Sequence, residues 1–128
     1  MVIDSSALLA IVLDEREREV FLAKINLDAR PMIAAANYVE AAIVVTARRG
    51  PSAAARLRAL LEEAGVEIAA VDAELSEAAI DAFRRFGKGR HAAGLNLGDC
   101  FAYALAAVTG EPLLFKGDDF AKTDIAAA

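Results

Sequence analysis

The chain has 128 residues, the size of one domain, and we expect a single domain over residues 1–128. Hydrophobic residues make up 57% of the sequence, which excludes a disordered chain. The formal net charge of −5 argues against a protein that coats nucleic acid, because such proteins are usually basic. It does not exclude an enzyme whose acids bind metal ions.

Short apolar segments alternate with amphipathic segments of helical length along the chain. Residues 2–4, 31–35 and 66–71 are predicted to be strands, and a further short strand is predicted within residues 111–120. The segments predicted to be helical are residues 5–14, 15–27, 37–50, 51–65, 72–87 and 97–110. This alternation indicates an α/β fold with a mostly parallel sheet covered on both faces. In such sheets, ligands bind beyond the carboxyl ends of the strands.

Polar residues and glycines support several of these boundaries. Ser5 or Ser6 is placed to cap the helix that follows the first strand. Asn37 and Asp72 stand at the starts of two later helices, and Gly50 suits the end of the helix that Asn37 begins.

Lone acidic residues interrupt segments that are otherwise apolar. Asp4 follows the first predicted strand in "MVIDSSALLAIV", and Asp99 stands at the start of the apolar helix in "LNLGDCFAYALAAV". Each has an ordinary structural interpretation, as a helix-capping acid for Asp4 and as a partner of the helix dipole for Asp99. Asp118 and Asp119 follow the last predicted strand, where Gly-Asp sequences also form surface turns.

Glu40 permits two interpretations from the sequence. The spacing from Asn37 to Glu40 is that of a capping box, in which the Glu side chain reaches back to the helix start. Glu40 also shares a helix face with Ile43, Val44 and Ala47, and this apolar face is predicted to point to the core. The second interpretation places the carboxylate at the edge of the core, where leaving it uncompensated is costly.

The predicted α/β layout brings these acids toward one edge of the sheet. Three or four carboxylates within a few ångströms repel one another, and a divalent cation removes that repulsion. Oxygen ligands without a Cys or His cluster favour Mg²⁺ or Mn²⁺, and a single histidine, His91, makes a His-based zinc site untenable. Such a site suits phosphoryl chemistry, because metal ions activate water and stabilise the leaving oxygen.

Two basic groups are candidates for contacts with substrate phosphates. The first lies in "RRFGKGRHAAG" and includes Lys88, Arg90 and His91 beside glycines that leave the backbone accessible. The second consists of four arginines on two helices: Arg48, Arg49, Arg56 and Arg58. Both groups are also typical of solvated helix ends, and His91 is typical of a surface loop. The first group directly precedes the Asp99 helix, which favours a phosphate-contacting role.

Four segments resemble the signature segments of PIN-domain ribonucleases, specifically the VapC toxins of bacterial toxin–antitoxin pairs. In chain order they are "MVIDSSALLAI", "YVEAAIV", "GLNLGDCFAYALA" and "PLLFKGDDFAKTDI". The resemblance implies a PIN-domain-like three-layer α/β/α sandwich with a mostly parallel central sheet. It also implies a Mg²⁺- or Mn²⁺-dependent endoribonuclease that hydrolyses RNA phosphodiester bonds with a metal-activated water.

The resemblance implies roles for individual residues as well. Asp4, Glu40 and Asp99 would be the three core acids. Asp4 and Asp99 would be the principal metal ligands, and Glu40 a further ligand, direct or through water. Ser6 matches the small hydroxyl residue that supports the first acid, and Asn96 is expected to orient the loop before Asp99.

The fourth acid of the family falls in the segment after the last strand. Many PIN domains carry an acid or Asn at the position that Gly117 occupies here. Asp119 is the predicted substitute, and Asp118 is the alternative.

The resemblance further implies partners and a location. A cognate VapB-type antitoxin would lay its tail across the active-site groove, RNA would be the substrate, and a homodimer or a larger toxin–antitoxin assembly is expected. The start of the chain is a poor signal peptide and no apolar run reaches the length of a membrane span. We therefore expect a cytoplasmic protein with no membrane contact.

Two alternatives come from other functional classes. A receiver-like regulator also combines clustered acids and Mg²⁺ with a late lysine, which Lys116 imitates, but its first strand should end in adjacent acids, whereas this one ends "VIDSS". A catalytically silent PIN-like binding module would keep the fold and lose the metal site. The presence of acids at positions 4, 40 and 99 argues against that module.

Overall fold

A computed structural model describes residues 1–128, in which four short strands form one parallel sheet. The strands are β1 (Val2–Ile3), β2 (Met32–Ala34), β3 (Glu67–Ala69) and β4 (Leu113–Leu114). Their order across the sheet is β3-β2-β1-β4, and every neighbouring pair is parallel. Val2 of β1 lies opposite Met32 of β2 on one side and Leu113 of β4 on the other. The predicted α/β class is confirmed.

Six α-helices connect and cover the strands. They are α1 (Ser5–Val12), α2 (Arg18–Leu27), α3 (Ala35–Arg49), α4 (Pro51–Glu63), α5 (Ala73–Phe86) and α6 (Leu97–Thr109). All six correspond to helices predicted from the sequence, and Asp72 caps α5 as expected, through a hydrogen bond from the Leu75 N–H. No helix combines the length and the apolar character that a membrane crossing requires.

Apolar side chains alternate across the strands and create a core on each face of the sheet. Val2 and Leu113 point to the face covered by α5 and α6. Ile3, Ile33 and Leu114 point to the opposite face, which is covered by α1, α2, α3 and α4. Because both faces are covered there, β1, β2 and β4 are apolar and buried throughout, whereas the edge strand β3 begins with the exposed Glu67. The predicted three-layer α/β/α sandwich is therefore confirmed.

The start of α3 differs from the sequence prediction. The helix begins at Ala35, so Asn37 lies inside its first turn and is not its cap. The flanking residue is Ala34, the last residue of β2, so the strand runs directly into the helix without a capping side chain. The end of α3 is as predicted, because it is followed by Gly50 with a φ of +83°.

The last residues of the chain extend the sheet at β4, which the sequence did not indicate. The Leu113 N–H donates to the Ala126 carbonyl at 2.9 Å, and the Ala128 N–H donates to the Leu113 carbonyl at 3.0 Å. Upstream of this contact, Asp124 accepts hydrogen bonds from Arg85 and Tyr103. The segment that follows β4 is thus held against α5 and α6.

Candidate active site at the carboxyl edge of the sheet

The candidate site lies where the order of the strands reverses. From β1 the chain moves to β2 and then to β3 on one side, whereas β4 lies on the other side of β1. Beyond the carboxyl ends of β1 and β4 such a reversal leaves a crevice, where ligands bind in open parallel sheets. Asp4 directly follows β1, and the loop of residues 115–119 directly follows β4.

Asp4 is buried at this edge, with only 1% of its surface exposed. It is the N-cap of α1, so the prediction that Ser5 or Ser6 caps this helix is wrong; the extended backbone that precedes the helix is at Asp4. Its Oδ2 accepts hydrogen bonds from the backbone N–H of Ser6 at 2.9 Å and from the Ser6 Oγ at 2.5 Å. Burial raises the pKa of Asp4 to about 6, although the Ser6 hydrogen bonds lower it, and the charges of Asp99 and Glu40 raise it further.

Glu40 reaches the same edge from α3. Its Oε2 accepts a hydrogen bond from the Ser5 Oγ at 2.8 Å, which links α3 to the start of α1. The capping box with Asn37 is not formed, because α3 begins two residues earlier. The backbone of Gly98 in α6 lies against the Glu40 carboxylate, so closely that a Cβ there would be 2.3 Å from Oε2.

The buried stripe of α3 also differs from the prediction. The sequence pattern placed Ile43, Val44 and Ala47 on the core side, but Ile43 is 63% exposed, Ala47 is exposed as well, and Val44 is only half-buried. The buried residues are instead Asn37, Ala41 and Val45, which are four residues apart. The small side chain of Ala41 is the part of α3 that joins the core around α1. Glu40 therefore lies beside the buried stripe, half-exposed to the crevice.

Asn37 was not predicted as a site residue, yet it connects the elements that carry the acids. Its Nδ2 donates to the backbone carbonyl of Gly98 at 2.9 Å and, over 3.5 Å, to Oδ1 of Asp4. The side chain is fully buried. The signal that would have found it is its spacing of four and eight residues before Ala41 and Val45, which places it on the inner face of the helix.

Asp99 lies in the first turn of α6 and forms a reciprocal capping box with Asn96. The Asp99 N–H donates to Asn96 Oδ1 at 2.9 Å, and the Asn96 N–H donates to Asp99 Oδ2 at 2.8 Å. Burial raises the pKa of Asp99, the Asn96 hydrogen bond opposes this, and the charges of Asp119 and Glu40 raise it further. The second oxygen of Asp99, Oδ1, carries no hydrogen bond.

The loop after β4 carries both candidates for the fourth acid. Asp118 and Asp119 are exposed. The charge of Asp119 contributes to the raised pKa of Asp99, whereas Asp118 contributes to the pKa of neither Asp99 nor Asp4. The loop turns at Gly117, whose φ of +102° lies in the region that favours glycine. This effect on the pKa of Asp99 distinguishes Asp119 from Asp118.

The predicted phosphate-contacting residues lie in the exposed connection between α5 and α6. Lys88 and Arg90 form no ion pair, and the Arg90 guanidinium lies 5.4 Å from the centre of the Phe83 ring. His91 sets its ring edge-on against Phe86, and its Nδ1 accepts a hydrogen bond from the backbone N–H two residues later. Only Nε2 of this histidine is left for a ligand.

Comparisons with known proteins decide the family. The family model described as "PIN domain" matches residues 1–126. The chain is 49% identical over 126 residues to "VapC ribonuclease Mb0640" of Mycobacterium bovis, covering 98% of this chain and 96% of that protein. It is 50% identical over 127 residues to "Ribonuclease VapC" of Mycolicibacterium smegmatis, covering 99% of this chain and 98% of that protein. The chain belongs to the VapC family of PIN-domain proteins.

Solved structures show the same VapC fold. The crystal structure of VapC20 from Mycobacterium tuberculosis, described as a "Sarcin-Ricin loop cleaving toxin", matches with a TM-score of 0.81 at 16% identity and covers 99% of this chain and 97% of that chain. A toxin–antitoxin complex from Klebsiella pneumoniae matches with a TM-score of 0.76 at 16% identity, covering 99% and 95%. The PIN-domain match over residues 1–126 excludes the receiver-like alternative, and Lys116 pairs with Glu15 and Glu17.

The acids of this VapC-family chain fit a hard divalent cation. None of the four carboxylates has a Lys, Arg or His within 4.0 Å: Asp4, Glu40, Asp99 and Asp119. The structure contains no group of three or more His, Cys, Asp or Glu side chains that could hold an ion, so the expected cluster of three or four close carboxylates is wrong. Each of three carboxylates accepts its own hydrogen bond, Glu40 from Ser5, Asp4 from Ser6 and Asp99 from the Asn96 N–H. Mg²⁺ keeps several waters and binds through one or two carboxylates, so the donor set still suits it.

Proposed function

We propose that this protein is a metal-dependent endoribonuclease and the toxin of a toxin–antitoxin pair. One observation carries the proposal. Asp4 is a nearly fully buried carboxylate without a cationic partner, at the edge of the sheet where the strand order reverses, and the charges of Asp99 and Glu40 contribute to its raised pKa. Burying an unpaired acid is costly unless a ligand compensates its charge. Relatives whose sequences are 49% and 50% identical to this chain are named VapC ribonucleases, which supports RNA as the substrate.

Asp4 and Asp99 would hold Mg²⁺ or Mn²⁺ at this site. Oδ2 of Asp4 accepts both Ser6 donors and Oδ2 of Asp99 accepts the Asn96 N–H, so Oδ1 of each acid is the oxygen left for the ion. When bound, such an ion stabilises charge on the phosphate and lowers the pKa of water. Asp119 adds negative charge on the exposed side of the site.

Glu40 is the residue that we assign to the attacking water. Its Oε2 is fixed by Ser5, and its Oε1 carries no hydrogen bond. A carboxylate fixed through one oxygen presents the other in a defined direction, which is what orienting a water and accepting its proton require. The proton leaves the water as its oxygen forms the new bond to phosphorus and the bond to the leaving ribose oxygen breaks.

Gly98→Ala is expected to displace the Glu40 carboxylate without unfolding the protein. The added Cβ would lie 2.3 Å from Oε2 and 2.9 Å from the carboxyl carbon of Glu40. Because these atoms end a flexible side chain, Glu40 moves away from Ser5 while α6 keeps its place. We expect RNA cleavage to fall at least about tenfold, and the melting temperature to stay within about 5 °C of wild type. A folded variant that cleaves RNA at the wild-type rate would show that the position of Glu40 is unimportant.

Lys88 and Arg90 are proposed to contact RNA phosphates, and His91 to contact them through Nε2. Lys88→Ala with Arg90→Ala should weaken RNA binding and reduce the slope of log affinity against log salt by about 1.4, since each single-strand phosphate contact contributes roughly 0.7. Titration of a labelled RNA at several salt concentrations measures the slope. Arg48→Ala with Arg56→Ala is the matched control, because these arginines also form no ion pair. A slope equal to that of wild type for the Lys88 and Arg90 double variant would refute the assignment.

The proposed partners are a VapB-type antitoxin and a second copy of the chain. The toxin–antitoxin complex among the structural matches supports the antitoxin. For the second copy, α3, α6 and α5 present one continuous apolar surface, on which two clefts of about 410 and 400 Å³ share Leu97 and Phe101. Leu97 is 75% exposed, and Val39 and Ile43 extend the surface along α3. An apolar patch that meets its own copy across a two-fold axis is the commonest form of homodimer.

Ile43→Glu is expected to convert the dimer to a monomer. A charge in the middle of the apolar surface would have to be buried in the interface without a partner. Light scattering after size exclusion should show the mass falling to one chain, 13.5 kDa. Leu27→Glu is the control, because Leu27 is 86% exposed on α2, outside this surface. A dimer that withstands Ile43→Glu and dissociates with Leu27→Glu would place the interface on α2.

The function itself is tested by cleavage of a mixed cellular RNA pool with purified, antitoxin-free protein. Reactions contain Mg²⁺, Mn²⁺ or EDTA. Discrete fragments that require the metal are expected. If a folded protein that binds Mn²⁺ leaves the pool intact, the ribonuclease proposal fails in favour of the silent PIN-like binding module.

A further inference from the structure

We infer that Asn37 is a positioning residue that fixes Asp4 relative to Asp99 for metal binding. The inference rests on the proposed function, because it concerns the same pair of acids. It assigns a role to a side chain that lies inside the fold, away from solvent.

The side-chain amide of Asn37 contacts Oδ1 of Asp4, the oxygen that is proposed to bind the metal ion. Both Ser6 hydrogen bonds to Asp4 go to Oδ2, so they leave the carboxylate free to pivot about that oxygen. The one donor beside Oδ1 is Nδ2 of Asn37, at 3.5 Å. Asn37 therefore limits the direction in which Asp4 offers Oδ1 to an ion.

The second contact of the same amide group ties Asp4 to α6. Nδ2 also donates to the carbonyl of Gly98 at 2.9 Å, and Gly98 directly precedes Asp99. One NH₂ group thus joins the end of β1 to the first turn of the helix that carries the second acid. Hydrogen bonds to a ligating carboxylate from groups that do not touch the metal typically govern metal affinity, because they set the orientation of the ligand.

Packing alone does not explain why an asparagine stands at position 37. Asn37 continues the buried stripe of Ala41 and Val45, where apolar side chains fit the core. Its Oδ1 is buried and has no hydrogen-bond partner. An orphan acceptor in the core is unfavourable, so a side chain serving only to fill space would do better without the amide. The favourable part of the group is Nδ2, which acts on Asp4 and Gly98.

The test measures Mn²⁺ affinity by calorimetric titration of the full chain, for wild type, Asn37→Ala and Asn37→Leu. Asn37→Leu keeps the branched shape and the number of side-chain heavy atoms and removes both the donor and the orphan acceptor, so it guards against misfolding of the alanine variant. Val45→Ala is the matched control, because Val45 is equally buried on the same stripe two turns further along α3. Cleavage as a function of Mg²⁺ concentration provides the second readout.

We expect both Asn37 variants to bind Mn²⁺ at least about tenfold more weakly, and to need correspondingly more Mg²⁺ for half-maximal cleavage. Val45→Ala should lower thermal stability while its Mn²⁺ affinity stays at the wild-type value. Wild-type affinity in folded Asn37→Leu would overturn the inference, and so would an equal loss in Val45→Ala. Asp4→Asn distinguishes failure of the proposed metal site from failure of the role of Asn37. If Asp4→Asn also binds Mn²⁺ like wild type, the metal site proposed for this protein is wrong, and not only the role of Asn37.

Discussion

Asp4→Asn and Asp99→Asn are each expected to reduce RNA cleavage by at least about a hundredfold, while both proteins stay folded. Each substitution removes the charge on a carboxylate whose Oδ1 is proposed to ligate the metal. The Asn oxygen can still accept from Ser6 at position 4 and from the Asn96 N–H at position 99, although at position 4 the contact with Asn37 Nδ2 is lost. The loss should therefore appear in metal binding and cleavage and not in the fold.

Asp118→Asn is the control for this prediction. Asp118 is exposed on the same loop as Asp119 but does not contribute to the pKa of Asp99. We expect near-normal cleavage for Asp118→Asn and a reduced rate for Asp119→Asn. Initial rates at fixed Mg²⁺, with circular dichroism spectra to verify folding, measure all four. Cleavage by Asp4→Asn and Asp99→Asn at the rate of Asp118→Asn would contradict the site.

Asp4→Asn is also expected to stabilise the metal-free protein at neutral pH by up to about 3 kcal/mol. The pKa of Asp4 rises from 3.8 to about 6 in the folded state, mainly through burial, so the folded state holds its proton more tightly than the unfolded state. As far as this group is concerned, stability is greatest below the unfolded pKa, falls as the pH rises through the folded pKa, and stays low above it. Asparagine is neutral throughout and is an equally good helix cap, so it avoids that loss.

The pH dependence is the distinctive part of this result. Urea unfolding in EDTA should show the gain of Asp4→Asn at pH 7.5 and little or none below about pH 3, where the wild-type acid is protonated in both states. Asp72→Asn is the control, because Asp72 caps α5 in the same way but is exposed. Added Mg²⁺ should reverse the order at pH 7.5 by stabilising only the wild type. A destabilised Asp4→Asn at every pH would mean that the carboxylate is needed for the fold.

The fold was predictable because its signals are local and agree with one another. Short apolar strands alternate with helices. In β1, Val2 and Ile3 point to opposite faces of the sheet, and both are apolar because both faces are covered. The capping acid Asp72 and the terminating Gly50 marked helix ends correctly. The contact of the last residues with β4 was not predictable, since a single bridge at Ala127 leaves no periodic pattern.

The candidate site was predictable in its acids and less so in what surrounds them. Asp4, Glu40 and Asp99 interrupt or flank apolar segments, and this can be seen in the sequence; their catalytic roles stay predictions. The error on α3 came from treating exposed Ile43 as core, because apolar periodicity cannot distinguish a buried face from an apolar surface. That error concealed Asn37, whose contacts with Asp4 and Gly98 exist only once three elements have come together.

Anomalous diffraction from crystals grown with Mn²⁺ tests whether Asp4 and Asp99 hold one divalent ion at the carboxyl edge of the sheet. We expect an anomalous peak within bonding distance of Oδ1 of Asp4 and of Asp99, and no such peak in crystals of Asp4→Asn. A peak bound elsewhere, or none at this edge in a protein that cleaves RNA in the same Mn²⁺ buffer, would contradict this expectation.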